Sequence, residues 1–260
     1  MIREINNLSI CIFNYLGKVF AHKSRMSETG ITDFLFNHII LSSVFTGNIR
    51  LLKLKSNIES VFGNDLDLFV KVGTNQYKWF VFQAKVAEYT GAFNDLKKRN
   101  KLSFPQWYKL KIHQLLFDSQ PYYLFYYGQS SIKSRKIKGN IGFTDCMGNA
   151  NYRELGLSAV ELDEVIKNRK GKGISQLTYF KDFFPNNVRA FRYFFCQNGI
   201  DKTASRYYSL EEIIETRYYN EINLESLKES MNESDEEDLE EIIIESGQGN
   251  TRIVLDLQSD

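Results

Sequence analysis

Long apolar runs are missing from this 260-residue chain. No stretch approaches the roughly 18 apolar residues that a membrane-spanning helix requires. No secretory leader is expected in the first residues, because Arg3, Glu4, Asn6 and Asn7 interrupt any apolar core there. Cysteine is scarce. Cys11, Cys146 and Cys196 are odd in number, widely separated and free of CxxC or Cys/His pairing. That pattern argues against a zinc site and for three buried thiols in a reducing compartment. A soluble, cytoplasmic protein without a membrane partner is the expectation. Histidine is limited to three, and His22, His38 and His113 show no metal-ligand spacing. Proline is limited to three as well, while 43% hydrophobic and 25% charged residues exclude a wholly disordered or fibrous chain. The length fits one large domain or two small ones.

What the chain has in abundance is aromatic side chains, 20 Phe and 15 Tyr, and an uneven distribution of charge. The formal net charge is only +1. Residues 1–220 nevertheless hold 31 basic and 19 acidic side chains, a net of +12, and residues 221–260 hold 2 and 13, a net of −11. A basic body of this kind points to a polyanionic partner.

Periodicity predicts an amphipathic helix over 3–22 and a second over about 28–44, capped by Ser27 or Thr29. A first strand is read at Leu51–Lys55. The alternating run Leu66–Val72, a turn at Gly73–Gln76 and the run Tyr77–Val86 read as a hairpin. Trp79, Phe80, Val81 and Phe82 are consecutive apolar residues, so that strand is expected to be central and covered on both faces. Gln106–Phe117 reads as a helix and Tyr122–Tyr127 as a buried strand. A helix is expected at Leu157–Asn168, and a mixture of helix and aromatic core over 175–196. Residues 209–240 read as acidic and helical, followed by a β-hairpin built from Glu241–Glu245 and Arg252–Leu257. The fold class is α/β, a mixed central sheet flanked by helices.

The chemistry concentrates in Gly63-Asn64-Asp65-Leu66-Asp67 and, 18 residues after Asp65, Gln83-Ala84-Lys85. Folding the hairpin about 73–76 returns Asp65 and Asp67 opposite residues near 82–84. Gln83 and Lys85 then share a face, because strand side chains alternate. Two carboxylates, an amide and an ammonium converge at one end of a central hairpin. A lysine ending an apolar strand is costly to desolvate without an anionic partner. Taken alone, such a pair of aspartates is ordinarily a turn residue and a solvent-facing strand residue.

The arrangement resembles the PD-(D/E)xK nuclease superfamily in the QxK variant of Mrr-like restriction nucleases. Upstream, Ser27-Glu28-Thr29-Gly30-Ile31-Thr32-Asp33 places Glu28 at the start of the preceding helix, where that superfamily often supplies a further metal ligand. Downstream, the similarity continues through the helix with Gln114 and the strand Pro121–Tyr127. Residues 27–128 look like an uncharacterised family of bacterial QxK nuclease domains found among phage-defence genes. The resemblance implies a restriction-endonuclease-like core over 1–150 and a metal-dependent DNA endonuclease acting in anti-phage defence. Mg²⁺ or Mn²⁺ would be held by Asp65, Gln83, Glu28 and the Ala84 carbonyl, with Asp67 the alternative to Asp65. Asp65 fits the Gly-x-Asp-apolar pattern; Asp67 has the more strand-like position. Lys85 would orient or deprotonate water or neutralise charge on the phosphorane. Gln114 would support the site or merely cap a helix face. Gln83 in place of an acid lowers the negative charge, which leaves metal binding dependent on the substrate phosphate.

Between residues 91 and 140, ten Lys or Arg stand against two acids. Lys97, Lys98, Arg99, Lys101, Lys133, Arg135, Lys136 and Lys138 are the expected contacts to the DNA backbone, positioning the duplex without reading its sequence. An RNase using the same site and a catalytically degenerate binding or assembly module are the alternatives. Residues 151–220 read as a helical, aromatic-rich extension, and 221–260 as an acidic tail. Three roles are open to the tail: a solvated linker, a DNA mimic over the basic cleft, or an edge for a second copy or a defence-system partner.

Overall fold

The computed structural model describes residues 2–24, 26–46, 49–56, 64–93, 96, 106–128, 139–172, 176–196, 206–214 and 250–257. In chain order the elements are α1 (Ile2–Ala21), α2 (Glu28–Thr46), β1 (Ile49–Ser56), β2 (Leu66–Gly73), β3 (Gln76–Val86) and β4 (Ala92–Phe93). Next come α3 (Gln106–Phe117), β5 (Gln120–Tyr126), β6 (Asn140–Asp145), β7 (Gly148–Asn151) and β8 (Leu157–Glu161). The chain ends with α4 (Leu162–Lys170), β9 (Thr178–Tyr179), β10 (Arg189–Ala190), α5 (Leu210–Ile214) and β11 (Asn250–Leu257). Seven strands form a mixed sheet in the spatial order β1-β11-β2-β3-β5-β8-β10, while β4-β9 and β6-β7 form two small ribbons. Within the sheet, β11 runs parallel to β2 and β3 runs parallel to β5; the other neighbours are antiparallel.

Strand alternation sorts the core onto the two faces of this sheet. Leu66, Leu68, Val70, Phe80, Phe82, Ala84 and Leu124 pack with Ile5, Leu8, Ile12 and Leu16 of α1 and Ile31, Leu35 and Ile39 of α2. Phe69, Trp79, Val81, Tyr123 and Phe125 face the other way, toward Leu110 and Phe117 of α3 and Val165 of α4. Strand β3 is therefore covered on both sides, and its run Trp79–Phe82 is at most 3% exposed. Each such side chain contributes about 1.5–3 kcal/mol on burial. A one-residue slip would move Gln83 and Lys85 to the opposite face and expel that apolar set, so the core itself locks the register of the polar residues.

Helix α1 forms because Ile5, Leu8, Ile12, Leu16 and Phe20 recur on one buried stripe, with Glu4 in the first turn and Lys18 in the last complementing the dipole. It lies against the chain at Gly156, where an added Cβ would fall 1.9 Å from the Ser9 carbonyl oxygen. Only glycine admits so close an approach. Ser9 uses it, donating its hydroxyl to the Glu154 carbonyl at 2.7 Å and accepting from the Leu157 amide at 2.8 Å.

Beside this crossing every nitrogen of a buried guanidinium has a partner. Arg192, 2% exposed, reaches Asp145 at 2.7 Å through Nε and Asn6 at 2.6 Å through Nη1. Nη1 also lies 3.2 Å from Glu154, and Nη2 donates to the Gly148 carbonyl at 3.2 Å. Cys146 and Cys196 form a disulfide next to it, and Cys11 is exposed. The expectation of three buried thiols is thus corrected: two sulfurs are bonded to each other, and Cys11 faces outward. Asp145, Cys146 and Cys196 cluster closely enough to suggest a metal set. Their sulfurs are spent in the disulfide, however, and the carboxylate on Arg192, so that cluster is structural.

Three further sequence expectations change. The helix read at Leu157–Asn168 begins only at Leu162, because Leu157–Glu161 pairs with β5 and is buried within the sheet. Residues after 151 therefore complete the sheet with β8 and β10 rather than standing as a helical extension. The strand at Arg252–Leu257 forms, but as β11 it has β1 on one side and β2 on the other. Both of its edges are used, so it is neither half of an isolated hairpin nor an open edge for a partner. Glu241–Glu245, and all of the tail before Asn250, lie outside the described residues. Among the described residues no helix is long and apolar enough to cross a membrane.

Candidate metal and phosphodiester site

The hairpin β2–β3 sets the site. Leu66 pairs with Phe82, and the Asp65 amide donates to the Phe82 carbonyl at 2.8 Å, which brings Asp65 level with Gln83. Asp65 Oδ2 accepts the Ala84 amide at 2.6 Å and the Gln83 side-chain amide. Lys85, two residues along on the same face and 4% exposed, directs its ammonium at Glu28, 3.1 and 3.3 Å from the two carboxylate oxygens. Glu28 is the first residue of α2, so a helix start and a strand end meet here. The Ser27 hydroxyl accepts the Gly30 amide, 3.5 Å away, at that helix start.

Two residues that the sequence reading did not single out hold Glu28 in place. Thr32, one turn into α2, donates its hydroxyl to the Glu28 carbonyl at 2.9 Å and shares a 2.8 Å hydrogen bond with the Tyr126 phenol of β5. The first turn of α2 is thereby pinned to the central sheet. A threonine four residues after a glutamate at a helix start is the only local signal, and it is a weak one. Tyr123 is the third omission. It pairs with Gln83 across the β3–β5 ladder, so Asp65, Gln83 and Tyr123 form one row across three strands on one face. Burial, reinforced by the Asp65 and Glu28 carboxylates, drives the Tyr123 phenol upward and keeps it neutral.

Burial dominates the electrostatics of the cluster. The Asp65 carboxyl is pushed up to about 7, chiefly by burial. The Lys85 ammonium opposes that rise, the Glu28 carboxylate adds to it, and the Ala84 and Gln83 hydrogen bonds offset only part of it. Gln83, 2% exposed, turns its amide nitrogen to Asp65 and leaves its Oε1 buried without a hydrogen-bond partner among the described residues. An orphaned acceptor of this kind costs about 1–3 kcal/mol. Asp65, Glu28 and Gln83 offer oxygen atoms, with no histidine or thiolate among them; that donor set suits a hard divalent cation such as Mg²⁺ or Mn²⁺. The residues fit such an ion.

Asp67 sits opposite Val81, next to the expected stretch near 82–84, is fully buried, and through Oδ1 accepts from Trp79 Nε1 at 3.0 Å and Asn64 Nδ2 at 2.8 Å. Asp65 is the aspartate hydrogen-bonded to Gln83 and Ala84. Gln114 lies on α3 with its side-chain oxygen buried, and no hydrogen bond among the described residues joins it to the cluster. His113 is buried against Trp79 and bonded to Ser119 at 2.7 Å, which suits a core histidine. Lys97, Lys98, Arg99, Lys101, Lys133, Arg135, Lys136 and Lys138 all fall outside the described residues.

A protein-family model described as a family of unknown function (DUF6615) matches residues 1–258. The chain belongs to the DUF6615 family. No curated protein and no solved structure matches it. The DUF6615 match spans the hairpin carrying Asp65 and Gln83, the helix start carrying Glu28, and the C-terminal strand β11 alike.

Proposed function

We propose that this protein is a metal-dependent DNA endonuclease of the PD-(D/E)xK type, in its QxK form, with a restriction-endonuclease-like core. The observation that carries the reading is the convergence of Asp65, Gln83, Lys85 and Glu28, from a hairpin and a helix start, with the Gln83 side-chain oxygen buried and, among the described residues, without a hydrogen-bond partner. The order of elements agrees with the resemblance: a helix opening on Glu28, the hairpin with Asp65 and Gln83, then a helix and a parallel strand. Backbone-directed, sequence-independent binding follows from the basic segments, and a role in anti-phage defence from the resemblance.

Asp65, Glu28 and the oxygen of Gln83 would hold Mg²⁺ or Mn²⁺. Such an ion, when bound, polarises a phosphodiester and acidifies a water molecule. The remaining work falls to the chain. Lys85 neutralises the charge that builds on the phosphorane oxygens or orients the attacking water. The Ala84 amide and Gln83 hold Asp65 in one orientation, and Thr32 with Tyr126 holds Glu28. Buried surroundings strengthen each of these electrostatic contacts.

Plasmid cleavage in Mg²⁺ or Mn²⁺ tests the reading directly. Wild type is expected to nick or linearise supercoiled DNA, and Asp65→Ala and Lys85→Ala to lose activity by on the order of a hundredfold or more. Equal nicking by all three proteins would end the catalytic reading. Cleavage of RNA but not DNA would move it to the ribonuclease alternative.

A further inference from the structure

We infer that the Cys146–Cys196 disulfide is a reducible clasp whose state sets how firmly the strand carrying Gln83 is backed, a property independent of the nuclease reading. The bond joins residues 50 apart in sequence at a Cα–Cα distance of 5.8 Å, a separation that suits a disulfide without displacing the backbone. Cys146 lies exposed in the turn between β6 and β7, whereas Cys196 is 1% exposed at the end of the 3₁₀ turn Phe191–Phe195. One sulfur is therefore open to a reductant and the other is not. A reducing compartment is what the cysteine pattern predicts, and disulfides formed in one are usually transient or redox-sensing. Reduction is a balanced exchange. A thiolate of a dithiol reductant attacks Cys146 Sγ, the S–S bond breaks, and Cys196 leaves as a thiolate that takes a proton from water. The second thiol of the reductant then releases Cys146, so the protein gains two electrons and two protons while the reductant closes into its own disulfide. The Arg192 carbonyl oxygen, 3.6 Å from Cys196 Sγ, is an acceptor ready for the thiol so formed.

Both states keep the fold, because a second, ionic clasp joins the same two segments. Arg192 holds Asp145 at 2.7 Å and the Gly148 carbonyl at 3.2 Å, on either side of Cys146. Asp145 also accepts the Met147 amide at 2.8 Å, which closes the turn without the disulfide. What the disulfide adds is a covalent hold on the 3₁₀ turn, and that turn backs the site. Phe194 packs edge-on against Phe80 and Phe82, with ring centroids 5.1 and 4.9 Å apart, and Phe191 lies 5.5 Å from Phe82. The Phe82 carbonyl accepts the Asp65 amide, and Gln83 follows it in the strand. Freed at Cys196, the aromatic turn leaves β3 more easily, and the hydrogen bonds at Phe82–Ala84 open more often. The oxidised state is thus the firm one and the reduced state the loosened one.

The test is equilibration of the full-length protein with reduced or oxidised dithiothreitol, followed by thiol alkylation, melting and amide hydrogen exchange. Alkylation is expected to count one thiol, Cys11, in the oxidised protein and three in the reduced one. Reduction should lower the melting temperature by about 5–15 °C while the transition stays cooperative. Exchange should quicken by on the order of tenfold in both 191–196 and 82–84. Cys146→Ser, a change at an exposed position, should show the reduced values in both buffers, and Cys11→Ser should behave as wild type. Three alkylated thiols under every oxidising condition overturn the inference, because the bond then never forms. Loss of the cooperative transition on reduction also overturns it, since the disulfide is then an obligatory staple and not a switch. Equal melting in the two buffers, or exchange at 82–84 that ignores the redox state, overturns it too. Should Cys146→Ser fail to fold, the wild-type comparison decides alone. None of these measurements uses catalysis or a metal, so failure of the nuclease reading leaves the inference standing, and its own failure leaves that reading untouched.

Discussion

Two buried charged clusters stand in the same sheet-centred core, and they differ in how completely they are satisfied. Around Arg192, the guanidinium meets Asp145, Asn6, Glu154 and the Gly148 carbonyl, and Asn6 in turn donates to Glu154 at 3.1 Å. Around Asp65, the Lys85 ammonium is bonded to Glu28, the Gln83 side-chain oxygen has no hydrogen-bond partner among the described residues, and the Asp65 carboxyl is held up to about 7. A saturated network fixes structure: here it joins α1, the β6–β7 ribbon and the segment ending in the Cys146–Cys196 disulfide. An unsaturated one is costly to keep unless something else completes it. The difference teaches that burial and charge alone do not mark a site; a cluster of buried charged groups whose partners are incomplete is the better sign.

The largest effect expected from breaking this comparison lies on the saturated side. Arg192→Met leaves Asp145 and Glu154 without their cation and should destabilise the fold by about 3–5 kcal/mol, the usual cost of removing one partner from a buried pair. Urea unfolding with and without Mn²⁺ measures it. The loss should be the same in both, because no ion binds there. A loss that added Mn²⁺ repairs would show that the two clusters are not distinct.

On the unsaturated side the sign reverses. Asp65 has an acid value raised in the folded state, from 3.8 to about 7. Its favourable contribution is therefore complete below about pH 4 and is lost as the pH rises through about 7. Metal-free Asp65→Asn removes that dependence while keeping an oxygen for the Ala84 amide. The variant should gain thermal stability relative to wild type as the pH climbs through this window, and should not gain further stability from Mn²⁺. Melting curves from about pH 4 to about pH 8 settle it. A difference between the two proteins that stays flat with pH would mean that Asp65 is not the strained carboxylate of the site.

How far each cluster was legible in the sequence follows from how local its contacts are. Asp65, Gln83 and Lys85 were readable because a hairpin turn at 73–76 and a two-residue period convert an 18-residue spacing into a meeting point. Glu28 lies 57 residues from Lys85 along the chain, and only the family resemblance pointed to it. The Arg192 cluster was invisible, since its partners Asn6 and Asp145 are 186 and 47 residues away and no motif joins them. The disulfide spans 50 residues without a spacing signal. Leu157–Glu161 was mistaken for helix because its Leu, Ala and Glu favour helices, and pairing with β5 overrode that preference. For β11, composition gave a strand, but its insertion between β1 and β2 is a tertiary choice that no local pattern encodes.

The smallest expected effect separates the two aspartates. Asp67 is fully buried, and its Oδ1 accepts from Trp79 and Asn64. Asparagine retains one oxygen in that place, so Asp67→Asn should keep both of these donors satisfied and cost about 1–3 kcal/mol, the range for a disturbed buried hydrogen bond. Its Mn²⁺ affinity in the presence of a short phosphorothioate-linked DNA duplex should stay within about tenfold of wild type, equivalent to about 1.4 kcal/mol. Asp65→Asn should abolish that binding. The reason lies in where each carboxylate points its hydrogen bonds: Asp65 is joined to Gln83 and Ala84, whereas Asp67 braces the turn from Asn64 that delivers Asp65 to them. Calorimetry on the two variants decides between ligand and brace. If binding survives Asp65→Asn and vanishes in Asp67→Asn, the brace is the ligand, and the contrast between a satisfied and an unsatisfied carboxylate fails at the place where it matters most.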